Sequence, residues 1–233
     1  GARRLWNPKA NWDEMKKSEE VKMDHDFDIV AREWADSVDR LSGKYGFPNK
    51  NFLLWGCCGS AQYAARLALR QPEYFLAVRV HMPGSFDEPT TEANKILWCV
   101  TTGEEEGGYD RTLKFLKACQ KKGYPIIYKA VPGLGHATHP ITEKLGLAFF
   151  EYAWSLREEK EEYVRDLGKI LNDASRERAR NPWQPWPKSY KSPEYVGDVY
   201  RQTIHPADQV PGDPGVRIAL PTKKLADAWL GDL

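Results

Sequence analysis

The chain has 233 residues, with 34 Lys plus Arg against 33 Asp plus Glu and a formal net charge of +1. That length suits one sizeable core with a small appendage, and the even charge gives no basis for a nucleic-acid or anionic membrane partner. No apolar run approaches the roughly 20 residues that span a bilayer. Four cysteines, Cys57, Cys58, Cys99 and Cys119, do not make a disulfide framework for a chain this long, and no pair has zinc-ligand spacing, so neither metal nor cofactor is expected. Cys99 and Cys119 read as buried thiols that pack as small hydrophobes. The sequence begins with Gly and shows no basic-then-apolar leader. It therefore reads as a processed or cloned fragment of a soluble protein, cytoplasmic or secreted after loss of a signal peptide.

In chain order, residues 1–25 are polar with no clear period and are expected to form an irregular lead-in. From Phe27 the spacing of Ile29, Val30, Trp34, Val38 and Leu41 predicts a helix, with Asp26 or Asp28 as N-cap and Gly43 and Gly46 as its stop. The run Phe52-Leu53-Leu54-Trp55 is too short for a helix and suits a strand buried on both faces. Gly56 breaks it, and 61–70 reads as a helix with Ala64, Ala65, Leu67 and Ala68 at helical spacing. Further strands are predicted at 75–81, 96–101 and 125–131, with helices at 109–120 and from 145 to about 171. Trp34, Trp55, Trp98 and Trp154 lie in apolar patterns and are assigned to the core.

Alternating strands and helices imply a three-layer α/β/α arrangement around a mostly parallel sheet, spanning 26–171. From 172 the composition changes. Asn181-Pro182-Trp183-Gln184-Pro185-Trp186-Pro187 cannot be a regular helix, and 172–233 reads as an irregular extension wrapping the core, with short mixed elements that include Val216-Arg217-Ile218-Ala219-Leu220 before Pro221 and a small helix at 225–230. Trp183 and Trp186 are read as packing residues or as a grip for a sugar or aromatic ligand.

In a parallel sheet the chemistry gathers at the carboxyl ends of the strands. Three loops there hold reactive side chains: Cys58 in the turn after the first strand, the Glu104–Glu106 cluster after the third, and His136 after the fourth. A strand, a glycine turn and a helix put Cys58 at the apex, two residues after Gly56, where the nucleophile of a G-x-S-x-G elbow stands. A helix N-terminus also favours negative charge on sulfur.

The ordered set Gly56-Cys57-Cys58-Gly59-Ser60, Gly103-Glu104-Glu105-Glu106 and Pro132-Gly133-Leu134-Gly135-His136 resembles the α/β-hydrolase superfamily. The resemblance covers roughly residues 26–157. Tyr195-Val196-Gly197-Asp198 and Arg217-Ile218-Ala219-Leu220-Pro221-Thr222 resemble extensions carried by some bacterial members. Two positions depart from the pattern: cysteine replaces the nucleophilic serine, as in dienelactone-hydrolase-like members, and Ser60 replaces the last glycine. The resemblance implies hydrolysis of a small carboxylic ester, thioester or lactone through an acyl intermediate on Cys58. His136 would be base and acid, Glu106 its orienting carboxylate, and the Gly59 N–H an oxyanion donor. Glu104 and Asp110 remain alternatives for the acid, His139 for the base and Ser60 for the nucleophile. Cys57 is expected to pack away from the apex; His25, His81 and His205 are expected at the surface or in structural hydrogen bonds.

Compared with that superfamily, the strands before residue 27 are missing, and so is the loop that supplies a second oxyanion donor. The strand at 52–55 would then be a sheet edge, which is expected to be covered by a partner chain or by a second copy in a homodimer. The rival reading is a catalytically degenerate binding or assembly protein on the same scaffold. A third is a serine enzyme made inert by cysteine.

Overall fold

The computed structural model describes residues 12–170, 193–209 and 216–231. They fall into two units, Gly1–Asn49 and Lys50–Leu233. The first holds one helix, α1 (Trp12–Tyr45). Helix therefore replaces the irregular lead-in from Trp12 onward, and Asp26 and Asp28 lie inside it instead of capping it. The sequence of 12–25 is rich in Glu, Lys and Met, which favour helix without forming an apolar stripe. Periodicity is blind to that kind of helix. Its end is set by Gly46, whose φ is +74° and whose N–H bonds the Ser42 carbonyl at 2.8 Å, a left-handed glycine stop; Gly43 is still helical.

The second unit is built on a parallel sheet of β1 (Phe52–Cys57), β2 (Phe75–His81), β3 (Leu97–Gly103) and β4 (Ile126–Val131), in that spatial order. The connecting helices are α2 (Gly59–Arg70), α3 (Tyr109–Lys121) and α4 (Pro140–Ile170). In β3 and β4 every residue is buried, and in β2 all but Leu76 are. Burial at successive positions means that both faces of these strands are covered, which is the α/β layout the alternating pattern implies. Trp98, Val78, Tyr128, Phe149 and Leu145 fill the core.

The first strand departs from expectation. Within β1, Leu53 is 38% exposed and Trp55 56% exposed, so the strand is not buried on both faces and Trp55 is not a core residue. Among the described residues β1 pairs with β2 alone, and an edge strand lacks the cover that a central one receives. Trp55 instead lies over the buried guanidinium of Arg79, 5.6 Å from its ring centroid, a cation–π contact. Trp154 is also corrected: it is 40% exposed and stacks with Arg157.

After the segment 171–192, which contains Trp183 and Trp186 and lies outside the described residues, come β5 (Tyr195–Asp198), β6 (Thr203–Pro206) and β7 (Arg217–Leu220). They form a small antiparallel sheet in the order β6-β5-β7. Strands β5 and β6 are too short for alternation to show in the sequence. Helix α5 (Lys223–Leu230) opens on Thr222, whose hydroxyl accepts from the Leu225 N–H, and closes on Gly231 at φ +96°. Its Trp229 is fully buried and donates to the Tyr128 carbonyl of β4 at 2.7 Å. This bond ties the C-terminal segment to the main sheet.

Candidate active site

The turn between β1 and α2 is sharp because Gly56 permits it. A Cβ on Gly56 would lie 2.7 Å from the Ser60 carbonyl carbon and 2.8 Å from the Ala61 Cα, closer than such atoms approach, so only glycine lets helix and strand meet here. Cys58 then takes φ +54° and ψ −123°, a conformation that costs a non-glycine residue on the order of 1–3 kcal/mol. Two backbone bonds hold it there: Cys58 N–H to the His81 carbonyl at 2.9 Å and Ala61 N–H to the Cys58 carbonyl at 3.0 Å.

The strained turn directs the Cys58 sulfur to His136. Cys58 Sγ lies 3.0 Å from His136 Nε2, and His136 Nδ1 lies 3.3 Å from Glu106 Oε1. The Glu106 side chain is mostly buried, at 10% exposure, whereas His136 is 58% exposed. The other carboxylate oxygen, Oε2, accepts from the Gly108 N–H. A carboxylate at this place favours a proton on Nδ1, which in the neutral imidazole leaves Nε2 as the acceptor facing the thiol.

The loops behind these residues are tied together. The Glu105 N–H bonds the Leu134 carbonyl at 3.0 Å, and the Glu104 N–H bonds the Val131 carbonyl at 3.1 Å. The acid and histidine loops are thereby stitched edge to edge. Gly103 makes the approach possible: a Cβ there would overlap the Leu134 carbonyl and sit 2.7 Å from the Gly135 oxygen.

The alternatives go elsewhere. The Ser60 hydroxyl accepts from the Cys57 N–H at 2.9 Å and donates to the Cys57 carbonyl at 2.7 Å, so it braces the turn. His139 Nδ1 accepts from the Ile141 N–H at 3.2 Å, and its role is to cap α4. Glu104 acts on the Lys129 and Tyr109 side of its loop, and Asp110 lies in the first turn of α3. Gly59 is the first residue of α2, directly after Cys58. Cys99 and Cys119 are fully buried.

Two residues emerge that the sequence reading undervalued. Cys57 does not pack away from the apex: its sulfur is 3.5 Å from that of Cys58. Burial and the bond to Cys58 push the Cys57 thiol up to about 11. His81, the last residue of β2, is buried. Its Nε2 donates to the Ala137 carbonyl at 3.3 Å, beside His136, and its Nδ1 accepts from the Thr101 hydroxyl at 2.8 Å. Burial lowers its pKa from the ordinary histidine value, which favours the neutral ring. The Cys57 contact is between neighbours in the chain, whereas the His81 contacts have no local signal, because they depend on strands and loops brought together by the fold.

An apolar cavity of about 440 Å³ lies beside the turn, lined by Leu54, Trp55, Gly59, Tyr63, Ala64 and Leu67 among others. Among the described residues no group of His, Cys, Asp and Glu side chains could hold a metal ion, and no helix is long and apolar enough to cross a membrane.

No protein-family model matches the sequence, and no curated protein matches it. Solved structures similar to this chain include a variant of SOBER1 from Arabidopsis thaliana (17% identity, 53% of this chain and 63% of that one, TM-score 0.46). A carboxylesterase from Bacillus cereus is similar at 14% identity over 64% of this chain and 66% of that one, with a TM-score of 0.45. The esterase PE8 is similar at 16% identity over 54% and 58%, with a TM-score of 0.40. The chain thus spans less than two thirds of the length of each of these structures. Likeness at these scores carries no functional argument.

Proposed function

We propose that the chain is a thiol hydrolase of small carboxylic esters, thioesters or lactones, acting through a covalent acyl intermediate on Cys58. The observation that carries this reading is the unbroken contact chain from the Cys58 sulfur to His136 Nε2 at 3.0 Å, continued from His136 Nδ1 to Glu106 at 3.3 Å. Sulfur, base and orienting carboxylate stand in the order that nucleophilic acyl transfer requires.

In the first half-reaction His136 Nε2 takes the thiol proton as Cys58 Sγ bonds to the carbonyl carbon. The resulting oxyanion is met by the N–H groups that open α2, that of Gly59 first. The C–O or C–S bond to the leaving group then breaks, and the leaving group departs with the proton from His136. In the second, water gives its proton to His136 and attacks the thioester, and Sγ leaves and is reprotonated. Glu106 steadies the imidazolium in both halves. The exposure of His136 leaves this pair open to an incoming ester and to water.

The test pairs thiol alkylation with turnover of a p-nitrophenyl ester. Fast iodoacetamide labelling of Cys58 at neutral pH, slowed about 10²-fold or more in His136→Ala, is expected, together with turnover that Cys58→Ala abolishes. Sluggish labelling indifferent to His136 would overturn the proposal in favour of the degenerate scaffold. A gain of turnover in Cys58→Ser would identify an inert serine-to-cysteine form.

A further inference from the structure

Cys57 has no part in the hydrolysis above, yet its sulfur stands 3.5 Å from the Cys58 sulfur, near enough for a bond to form with local rotation of the two side chains. We infer that the adjacent pair Cys57–Cys58 is a site of reversible oxidation by hydroperoxides, closing to a disulfide that takes Cys58 out of action. The inference rests on Cys58 being the reactive thiol.

The chemistry has two balanced steps. Cys58 Sγ attacks the distal oxygen of a hydroperoxide, the O–O bond breaks, and an S–O bond forms. The thiol is oxidised by two electrons to a sulfenic acid, and the peroxide is reduced to an alcohol, or to water when the oxidant is hydrogen peroxide. His136 Nε2, 3.0 Å from Sγ, takes the thiol proton and returns it to the departing alkoxide or hydroxide. The Cys57 sulfur then attacks the sulfenic sulfur. An S–S bond forms, the S–O bond breaks, and the oxygen leaves as water with the proton that Cys57 carried.

Three features fit this division of labour. Both sulfurs are partly exposed, whereas Cys99 and Cys119 are fully buried, so an oxidant in water meets the pair first. The two thiols differ: Cys58 has a base in contact, while Cys57 is held in its protonated form. One is therefore attacked by oxidant, and the other waits to resolve the product. Finally, adjacent Cα atoms are about 3.8 Å apart across a trans peptide, shorter than the roughly 4.4–6.8 Å usual for a disulfide. Such a bridge is strained and hence readily reduced, which suits a temporary modification.

The experiment treats the full chain with a few equivalents of hydrogen peroxide and follows intact mass, the peptide carrying both cysteines, and ester turnover. The wild type is expected to become about 2 Da lighter as a monomer, with the bridge mapping to Cys57–Cys58 and dithiothreitol restoring mass and turnover together. In Cys57→Ser, and in Cys57→Ala as a second variant, Cys58 is expected to gain about 32 Da irreversibly. A wild type that gains that mass as fast as the variants overturns the inference. So does a bridge that maps to a cross-linked dimer or to Cys99 or Cys119. Untreated turnover without any bridge sinks the oxidation site and leaves the hydrolase standing. A reversible bridge in a chain without turnover does the reverse.

Discussion

Replacing Gly103 by Ala tests whether the contact between Cys58 and His136 depends on how closely two loops approach. Gly103 ends β3, and a Cβ there would overlap the Leu134 carbonyl and lie 2.7 Å from the Gly135 oxygen. Carbon and oxygen rest at about 3.3–3.6 Å, so relief of the overlap with the Leu134 carbonyl requires the Pro132–His136 loop or the loop carrying Glu106 to move by about 1.5 Å. Whichever moves, the bonds that join them are lost, and the 3.0 Å sulfur–nitrogen distance opens beyond hydrogen-bond reach. A displacement of that size at a reacting pair costs on the order of 10²-fold. Overpacking itself costs about 1–3 kcal/mol, which a urea melt reports separately. The assay is the rate of Cys58 alkylation at neutral pH, with Cys57, which has no base in contact, as the internal reference. A folded Gly103→Ala chain whose Cys58 reacts at the wild-type rate would refute the argument that glycine sets this distance.

Three further outcomes are expected. Glu106→Gln keeps the shape but forfeits the charge behind His136, so ester turnover falls about 10²–10⁴-fold; unchanged turnover removes Glu106 from the site. Lys129, only 4% exposed, has its pKa lowered by burial from 10.5 to about 8, with its ammonium on Gln202 at 2.5 Å and over the Trp229 ring. Between those values the unfolded chain keeps a proton that the native chain has released, so wild-type stability rises with pH. Lys129→Met lacks this rise, and the wild type is expected to gain about 1–2.5 kcal/mol on the variant from pH 7 to pH 10 in urea unfolding; a constant difference counts against a buried amine. At the β1 edge, Trp55→Lys is expected to weaken self-association in sedimentation velocity, and a wild type that is already monomeric at high concentration counts against pairing at this edge.

How far the sequence could be read depended on which interactions left a local trace. Strand β2 was legible in full at 75–81, and β3, β4, α2 and α3 to within a few residues, because each carries a short apolar run or a helical stripe ended by Gly or Pro. The juxtaposition of Cys58, Glu106 and His136 was readable too, since parallel strands deliver their C-terminal loops to one end of the sheet. What escaped had no local signature. Residues 12–25 form helix from propensity alone, without the stripe that betrays a packed face. The exposure of Trp55 goes with the edge position of β1, which among the described residues pairs with β2 alone, and no residue of its own run encodes it.

His81 shows why the site itself is partly invisible from sequence. Its backbone carbonyl accepts the N–H of Cys58 at 2.9 Å, fixing the strained turn. Its side chain reaches the Ala137 carbonyl at 3.3 Å, behind His136. One residue at the end of β2 therefore references both the sulfur and the base to the same strand, although they are 78 residues apart in the chain. The strain at Cys58 and the exposure of His136 would each permit drift if either loop stood alone. Held to one buried residue, the first loop by its backbone carbonyl and the second by its imidazole, the two loops share one reference point on the sheet, and the short sulfur–nitrogen distance does not rest on the attraction between the pair alone.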